Sequence, residues 1–151
     1  MSSFFSKKCE YGLQAVLYLA AKEKDTLCSA EEISGELKIP KEFTSKILQD
    51  LTEKGIIFSR KGREGGFKLA LKADQIKLID IVEAVDGLQI FTGCVLGYQN
   101  CSKDEKCMFH NEWIEIISKA YDLFNSRTID QFYKESLSKL KFSLVKETAK
   151  K

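Results

Sequence analysis

Histidine, proline and tryptophan each occur once in these 151 residues, and methionine twice. With His110 as its only imidazole, the chain has no H-E-x-x-H zinc-protease signature, and it carries neither a P-loop nor a G-x-S-x-G elbow. An enzyme is therefore not expected. No stretch approaches the ~18 consecutive apolar residues of a membrane span. The N-terminus, MSSFFSKKCEYG, lacks the apolar core and small-residue cleavage site of a secretion signal. The expected location is the cytoplasm, with no membrane partner and no small-molecule substrate. There is no internal repeat, low-complexity run or clear linker, so the length suits one domain or one domain plus an extension. Net charge is only +2. The five cysteines are an odd number in a chain expected inside the cell, which favours metal, redox or packing roles over disulfides.

Against these shortages stands one dense group. Cys94, Cys101, Cys107 and His110 follow the spacing C-x6-C-x5-C-x2-H, in a segment of no clear period ahead of an apolar helix. Thiolates suit zinc, copper(I) and iron–sulfur clusters. Structural zinc sites often use C-x2-4-C pairs, and none occurs here. Wide spacing makes each cysteine a separate arm of a loop, with Gly93 and Gly97 giving it freedom to wrap. Spacing alone leaves three readings open: an iron–sulfur cluster, zinc, or thiols without metal. Cys9 and Cys28 lie outside the group and read as small buried hydrophobes.

The rest of the pattern is mainly helical. Leu13, Val16, Leu17 and Ala20 have helical spacing within Tyr11–Lys22. Ser29 and Glu32 form an S-x-x-E cap for a short helix with Ile33 and Leu37 inward. Pro40 suits the first turn of the next helix, expected over residues 41–54 and ended by Gly55. Its apolar stripe is read as Phe43, Ile47, Leu48 and Leu51, leaving Lys41, Glu42, Thr44, Ser45, Lys46 and Gln49 outward. Two short apolar runs, residues 56–58 and 67–71, flank a Gly-rich basic turn and predict a β-hairpin. A helix is expected over residues 78–85, closed by Asp86-Gly87, and another over 111–125. The latter carries Trp113, Ile116, Ile117, Ala120 and Phe124 on one stripe, with Ile114, Tyr121 and Leu123 off it. A helix apolar on more than one face packs on two sides, and the second side suits another subunit. Thr128 and Gln131 cap a final helix bearing Phe132, Tyr133, Leu137, Leu140 and Leu144, and the end from Thr148 is expected to fray.

Helix, short helix, Pro-containing turn, helix and basic hairpin is the order of a winged helix-turn-helix. Residues 1–71 hold twelve basic and ten acidic residues, but from Lys54 to Lys68 five cations face Glu64 alone. The outward face of the third helix (Lys41, Glu42, Thr44, Ser45, Lys46) could enter a major groove. Arg60, Lys61 and Arg63 on the hairpin could reach phosphates or a minor groove, with Gly65 among the glycines permitting close backbone approach. A solvated helix face and a basic hairpin can also mean nothing beyond solubility, or a protein-binding winged helix.

The motif RKGREGGFKLA at 60–70 resembles the wing of the IscR/NsrR/RirA-type regulators, the Rrf-two family of bacterial winged-helix transcription factors. IVEAVDG at 81–87 resembles their helix after the wing. Gly93-Cys94, Cys101, Cys107 and C-x-x-H-x-x-W from Cys107 to Trp113 resemble their cluster loop. The resemblance spans about residues 4–145. It implies a mainly α protein with a small β-hairpin: a winged helix-turn-helix over 1–87, a cluster loop over 88–110, and a dimerisation helix with a C-terminal helix over 111–151. It implies a homodimer, with Trp113, Ile116, Ile117, Ala120 and Phe124 in the dimer core, that binds a near-palindromic duplex operator. It also implies a regulator, read as a repressor, whose iron–sulfur cluster senses redox, nitric oxide or iron status. His110 matches the histidine ligand of the iron–sulfur-biogenesis members, which favours a 2Fe–2S over a 4Fe–4S cluster. Glu10, in CEYGL, matches an acidic ligand that other members supply from the partner subunit and ranks second. The loop differs from the family's commonest form by one residue between its first two cysteines, so the cluster type stays open.

Overall fold

In the computed structural model, residues 4–98 and 107–134 are described. Cys101, Leu137, Leu140, Leu144 and the chain end from Thr148 lie outside these residues.

Helix α1 spans Lys7–Ala20 and starts four residues earlier than the apolar periodicity suggests. The Ser6 hydroxyl accepts the Cys9 N–H at 3.0 Å as an N-cap, and the Ser6 N–H donates to Asp86 at 3.0 Å. The inward stripe is Cys9, Gly12, Val16 and Leu19, a helical series once cysteine is counted as apolar. Helix α2, Ala30–Leu37, is capped as expected: the Ser29 hydroxyl accepts the Glu32 N–H at 3.0 Å. Helix α3 covers Lys41–Glu53 after Pro40. Strands β1, Ile57–Arg60, and β2, Gly66–Leu69, pair antiparallel with Ile57 opposite Leu69 and Arg60 opposite Gly66. Helix α4 spans Leu78–Val85, as expected, and α5 spans His110–Ser126. Residues 129–134 are helical behind a reciprocal cap: the Thr128 N–H donates to Gln131 Oε1 and the Gln131 N–H to Thr128 Oγ1.

Two apolar clusters hold these pieces. The larger joins Val16, Ile33, Leu48, Leu51, Ile57, Ile76 and Ile81 of the helices and wing with Ile129. The smaller joins Cys9, Ile79, Val82, Phe91 and Ile117. Each fully buried Ile or Leu contributes about 1.5–3 kcal/mol of transfer free energy, so both clusters lock α5 and the helix-turn-helix into one body.

The wing is anchored by a bridge absent from the hairpin pattern. Cys28 and Phe67 exchange both backbone hydrogen bonds, at 2.9 and 2.7 Å. A Cβ on Gly66 would stand 2.8 Å from the Cys28 carbonyl oxygen, so the close approach requires glycine. A second bridge joins the start of α4 to the segment after α5. The Leu78 N–H donates to the Arg127 carbonyl at 3.0 Å and the Ile129 N–H to the Ile76 carbonyl at 2.8 Å. The far end of α5 is thereby tied to the segment that starts α4.

The phase of α3 corrects the sequence expectation. Its buried residues are Thr44, Ile47, Leu48 and Leu51, whereas Phe43 is 47% exposed. Thr44 is 2% exposed and donates its hydroxyl to the Pro40 carbonyl at 3.1 Å, so its side chain is not on the outward face. Positions 44, 48 and 51 follow the i, i+4, i+7 stripe, and a local bond to residue i−4 lets threonine occupy an apolar position there.

Candidate metal centre and nucleic-acid interface

Helix α4 ends at Val85, and a 3-10 turn at Gln89–Phe91 leads to Cys94. Cys94, Cys107 and His110 line one cavity of about 540 Å³, together with Gln89, Gly93, Trp113 and Ile114. The Leu96 N–H donates to Cys94 Sγ at 3.4 Å. The His110 N–H donates to the Cys107 carbonyl at 3.1 Å, so the C-x-x-H unit is the first turn into α5. The indole of Trp113 donates to the Gly93 carbonyl at 3.0 Å. That bond straps the start of α5 to the residue before Cys94.

The donor set, two thiols and an imidazole around one cavity with Cys101 on the intervening segment, fits an iron–sulfur group. Among the described residues no three such side chains converge closely enough to hold a metal ion, and the described cysteines form no disulfide. Glu10 does not line this cavity; it lies in the first turn of α1, paired with Lys7 at 2.9 Å. Cys9 and Cys28 are fully buried. Burial, helped by the Asp86 carboxylate, pushes the Cys9 thiol up to about 12. Burial also raises the Cys28 thiol.

Four of the five residues expected in a dimer core pack at least partly within the chain itself. Ile117 is buried, and Trp113, Ala120 and Phe124 pack on the same cluster as Cys9, Ile79 and Phe91. Of these five residues, Ile116 is exposed at 57%, Ile117 is buried, and Trp113, Ala120 and Phe124 are half-buried. Ile114, Ile116 and Leu123 are the exposed large apolar residues of this helix, and the exposed Phe109 just before it lies seven residues from Ile116. Within one chain, the stripe adjacent to Ile116 packs on the α1–α4 cluster.

Lys41, Glu42, Ser45 and Lys46 stand exposed on α3. Lys41 pairs with Glu31 at 2.9 Å and Lys46 with Asp50 at 3.4 Å, and Lys8 also meets Asp50. The wing differs. Arg60, Lys61 and Arg63 are exposed and form no ion pair with another described residue. Gly65 packs on the Arg60 carbonyl so closely that any side chain would collide with the backbone, which tightens the tip bearing those cations.

A two-stranded wing behind a helix-turn-helix, with this cationic tip, defines a winged helix-turn-helix transcriptional regulator. Residues 5–135 match the model of the Rrf2 family, described as iron-dependent transcriptional regulators. A putative HTH-type transcriptional regulator of Aquifex aeolicus is 37% identical over 127 residues, 83% of this chain and 88% of that protein. The regulator IscR of Pectobacterium atrosepticum is 25% identical over 126 residues, 83% of this chain and 76% of that protein. The solved structure of CymR, the global cysteine regulator of B. subtilis, has the same fold, with TM-score 0.72 and 22% identity over 89% of this chain and 98% of that one. The chain belongs to the Rrf2 family of transcriptional regulators. Among its described residues no helix is long and apolar enough to cross a membrane.

Proposed function

We propose that this protein is a homodimeric repressor whose affinity for a near-palindromic operator is set by an iron–sulfur cluster held by Cys94, Cys101, Cys107 and His110. Residues 1–87 act as the DNA reader, 88–110 as the cluster loop, and 111–151 as the dimerisation helix and C-terminal helix. The observation that carries this reading is the single cavity lined by Cys94, Cys107 and His110 at the head of α5. When bound, the cluster supplies an iron centre open to oxidant, nitric oxide or iron loss, in the 2Fe–2S form if His110 is the fourth ligand. Glu10 of a partner subunit is the other candidate for that fourth position.

The chain's own residues carry the signal onward. His110 opens α5, so the position of its imidazole sets where the helix starts. Trp113 holds the next turn to Gly93, Ile117 and Phe124 seat the helix against the α1–α4 cluster, and the 76–129 bridge ends it. A displacement at His110 therefore acts on the body that carries α3. In a dimer packed through Phe109, Ile116 and Leu123, it would alter the separation of the two α3 helices, which must sit ~34–36 Å apart to read one face of DNA.

The test is anaerobic purification with an absorption spectrum and iron, sulfide and zinc analysis, followed by operator binding of Cys101→Ala. Colourless protein free of iron and zinc would sink the cluster and favour a second reading, a thiol switch in which Cys94 and Cys107, facing one cavity, are oxidised. Operator binding by Cys101→Ala identical to the native chain under every redox condition would sink the coupling.

A further inference from the structure

Resting on the reading that this chain binds duplex DNA, we propose that Phe43 is a specificity residue that reads a thymine by its 5-methyl group. Phe43 lies in the first turn of α3, the end of a recognition helix that meets base edges. Half of its surface is open although apolar positions were available one residue away, where Thr44 is buried instead. The ring is held in place: its edge meets Tyr11 with centroids 6.2 Å apart at 78°, and the Lys7 ammonium stands 5.9 Å from the Tyr11 ring centre. An exposed aromatic ring supported in that position offers an apolar surface to a partner in the groove. In the major groove the only apolar group on a base edge is the thymine methyl.

The electrostatics around it point the same way. The lysines nearest in sequence on α3, Lys41 and Lys46, are engaged with Glu31 and Asp50. On the wing, Arg60, Lys61 and Arg63 form no ion pair with another described residue. Phosphate attraction thus belongs to the wing, while the head of α3 offers a ring and the Ser45 hydroxyl, which carry sequence information in place of charge. Tyr11 is a positioning residue, acting through the ring it supports.

The test begins by enriching a duplex from random-sequence DNA with the full-length protein. Each thymine of that duplex is then replaced in turn by deoxyuridine, which removes the methyl alone. The expected result is that one thymine per half-site, once demethylated, weakens native binding about fourfold, the order set by returning one methyl-sized group to water. Phe43→Ala should bind the thymine and deoxyuridine duplexes equally, and Phe43→Leu should keep part of the preference. Melting temperatures of both variants exclude unfolding as the cause. If Phe43→Ala keeps the native preference, or no thymine matters to the native chain, this inference is overturned while DNA binding stands. If no duplex is enriched at all, the DNA-binding reading falls and takes this inference with it.

Discussion

At the scale of single residues, the chemistry of each cysteine follows from its surroundings. Cys9 sits in an apolar cluster with its thiol raised to about 12, so it carries almost no thiolate at neutral pH. In native protein stripped of metal, iodoacetamide should label Cys94 and Cys107 and leave Cys9 unmodified until denaturant is added, as read by peptide mass spectrometry. Labelling of Cys9 at the rate of Cys107 would contradict its burial. Thr44 offers a second check. Its hydroxyl bond to Pro40 is worth about 1 kcal/mol net, so Thr44→Val should lower unfolding free energy by about that much in urea titrations. With its side chain buried, the same substitution should leave operator affinity within twofold or so, whereas Ser45→Ala should weaken it by about 1 kcal/mol through loss of a base-edge or phosphate hydrogen bond.

At the scale of elements, α5 and the wing divide the labour. The Ile117 face of α5 belongs to the chain's own core and the Ile116 face to solvent or a partner. Ile117→Ala should therefore cost about 2–5 kcal/mol of stability. Ile116→Asp should leave the monomer folded and shift sedimentation from dimer to monomer. A dimer that survives Ile116→Asp and Leu123→Asp together would place the interface on another surface. For the wing, Lys61→Ala and Arg63→Ala should each weaken binding to all duplexes alike. Removing a single cation from a phosphate should reduce the slope of log affinity against log salt by about 0.9. Variants that changed sequence preference instead would assign base reading to the wing.

At the scale of the whole molecule, the ion pairs across elements set the response to acid. Asp50 of α3 is held below its usual value of 3.8, first by the hydrogen bond from Lys8 of α1 and then by the charges of Lys8 and Lys46, against an opposing effect of burial. A carboxylate whose folded value is depressed contributes stability above its unfolded value and loses it as pH falls through the folded one. The stability gap between the native chain and Asp50→Asn should thus be full at neutral pH and shrink as pH drops from about 5 to about 3. A gap that stayed constant over that range would mean the α1–α3 pair contributes nothing.

Much of this was written locally. The caps at Ser29 and at Thr128 with Gln131, the bounds of α4 and the hairpin around Gly62–Gly66 are short-range patterns, set by backbone hydrogen bonding within a few residues. The Cys94–Cys107–His110 grouping was legible for the same reason, since its donors lie close along the chain. Which face of α3 and α5 turns inward was not, because a helix with apolar residues on adjacent stripes has two nearly equivalent phases. Packing against α1 and α4 chose between them: it buried Thr44 and exposed Phe43, and it turned Trp113, Ile117 and Phe124 toward the core and Ile116 outward. The tertiary structure alone also paired Cys28 with Phe67 and Arg127 with Leu78. These contacts between residues far apart in sequence leave no periodic trace; the first ties the wing to the segment before α2, and the second ties the end of α5 to the start of α4.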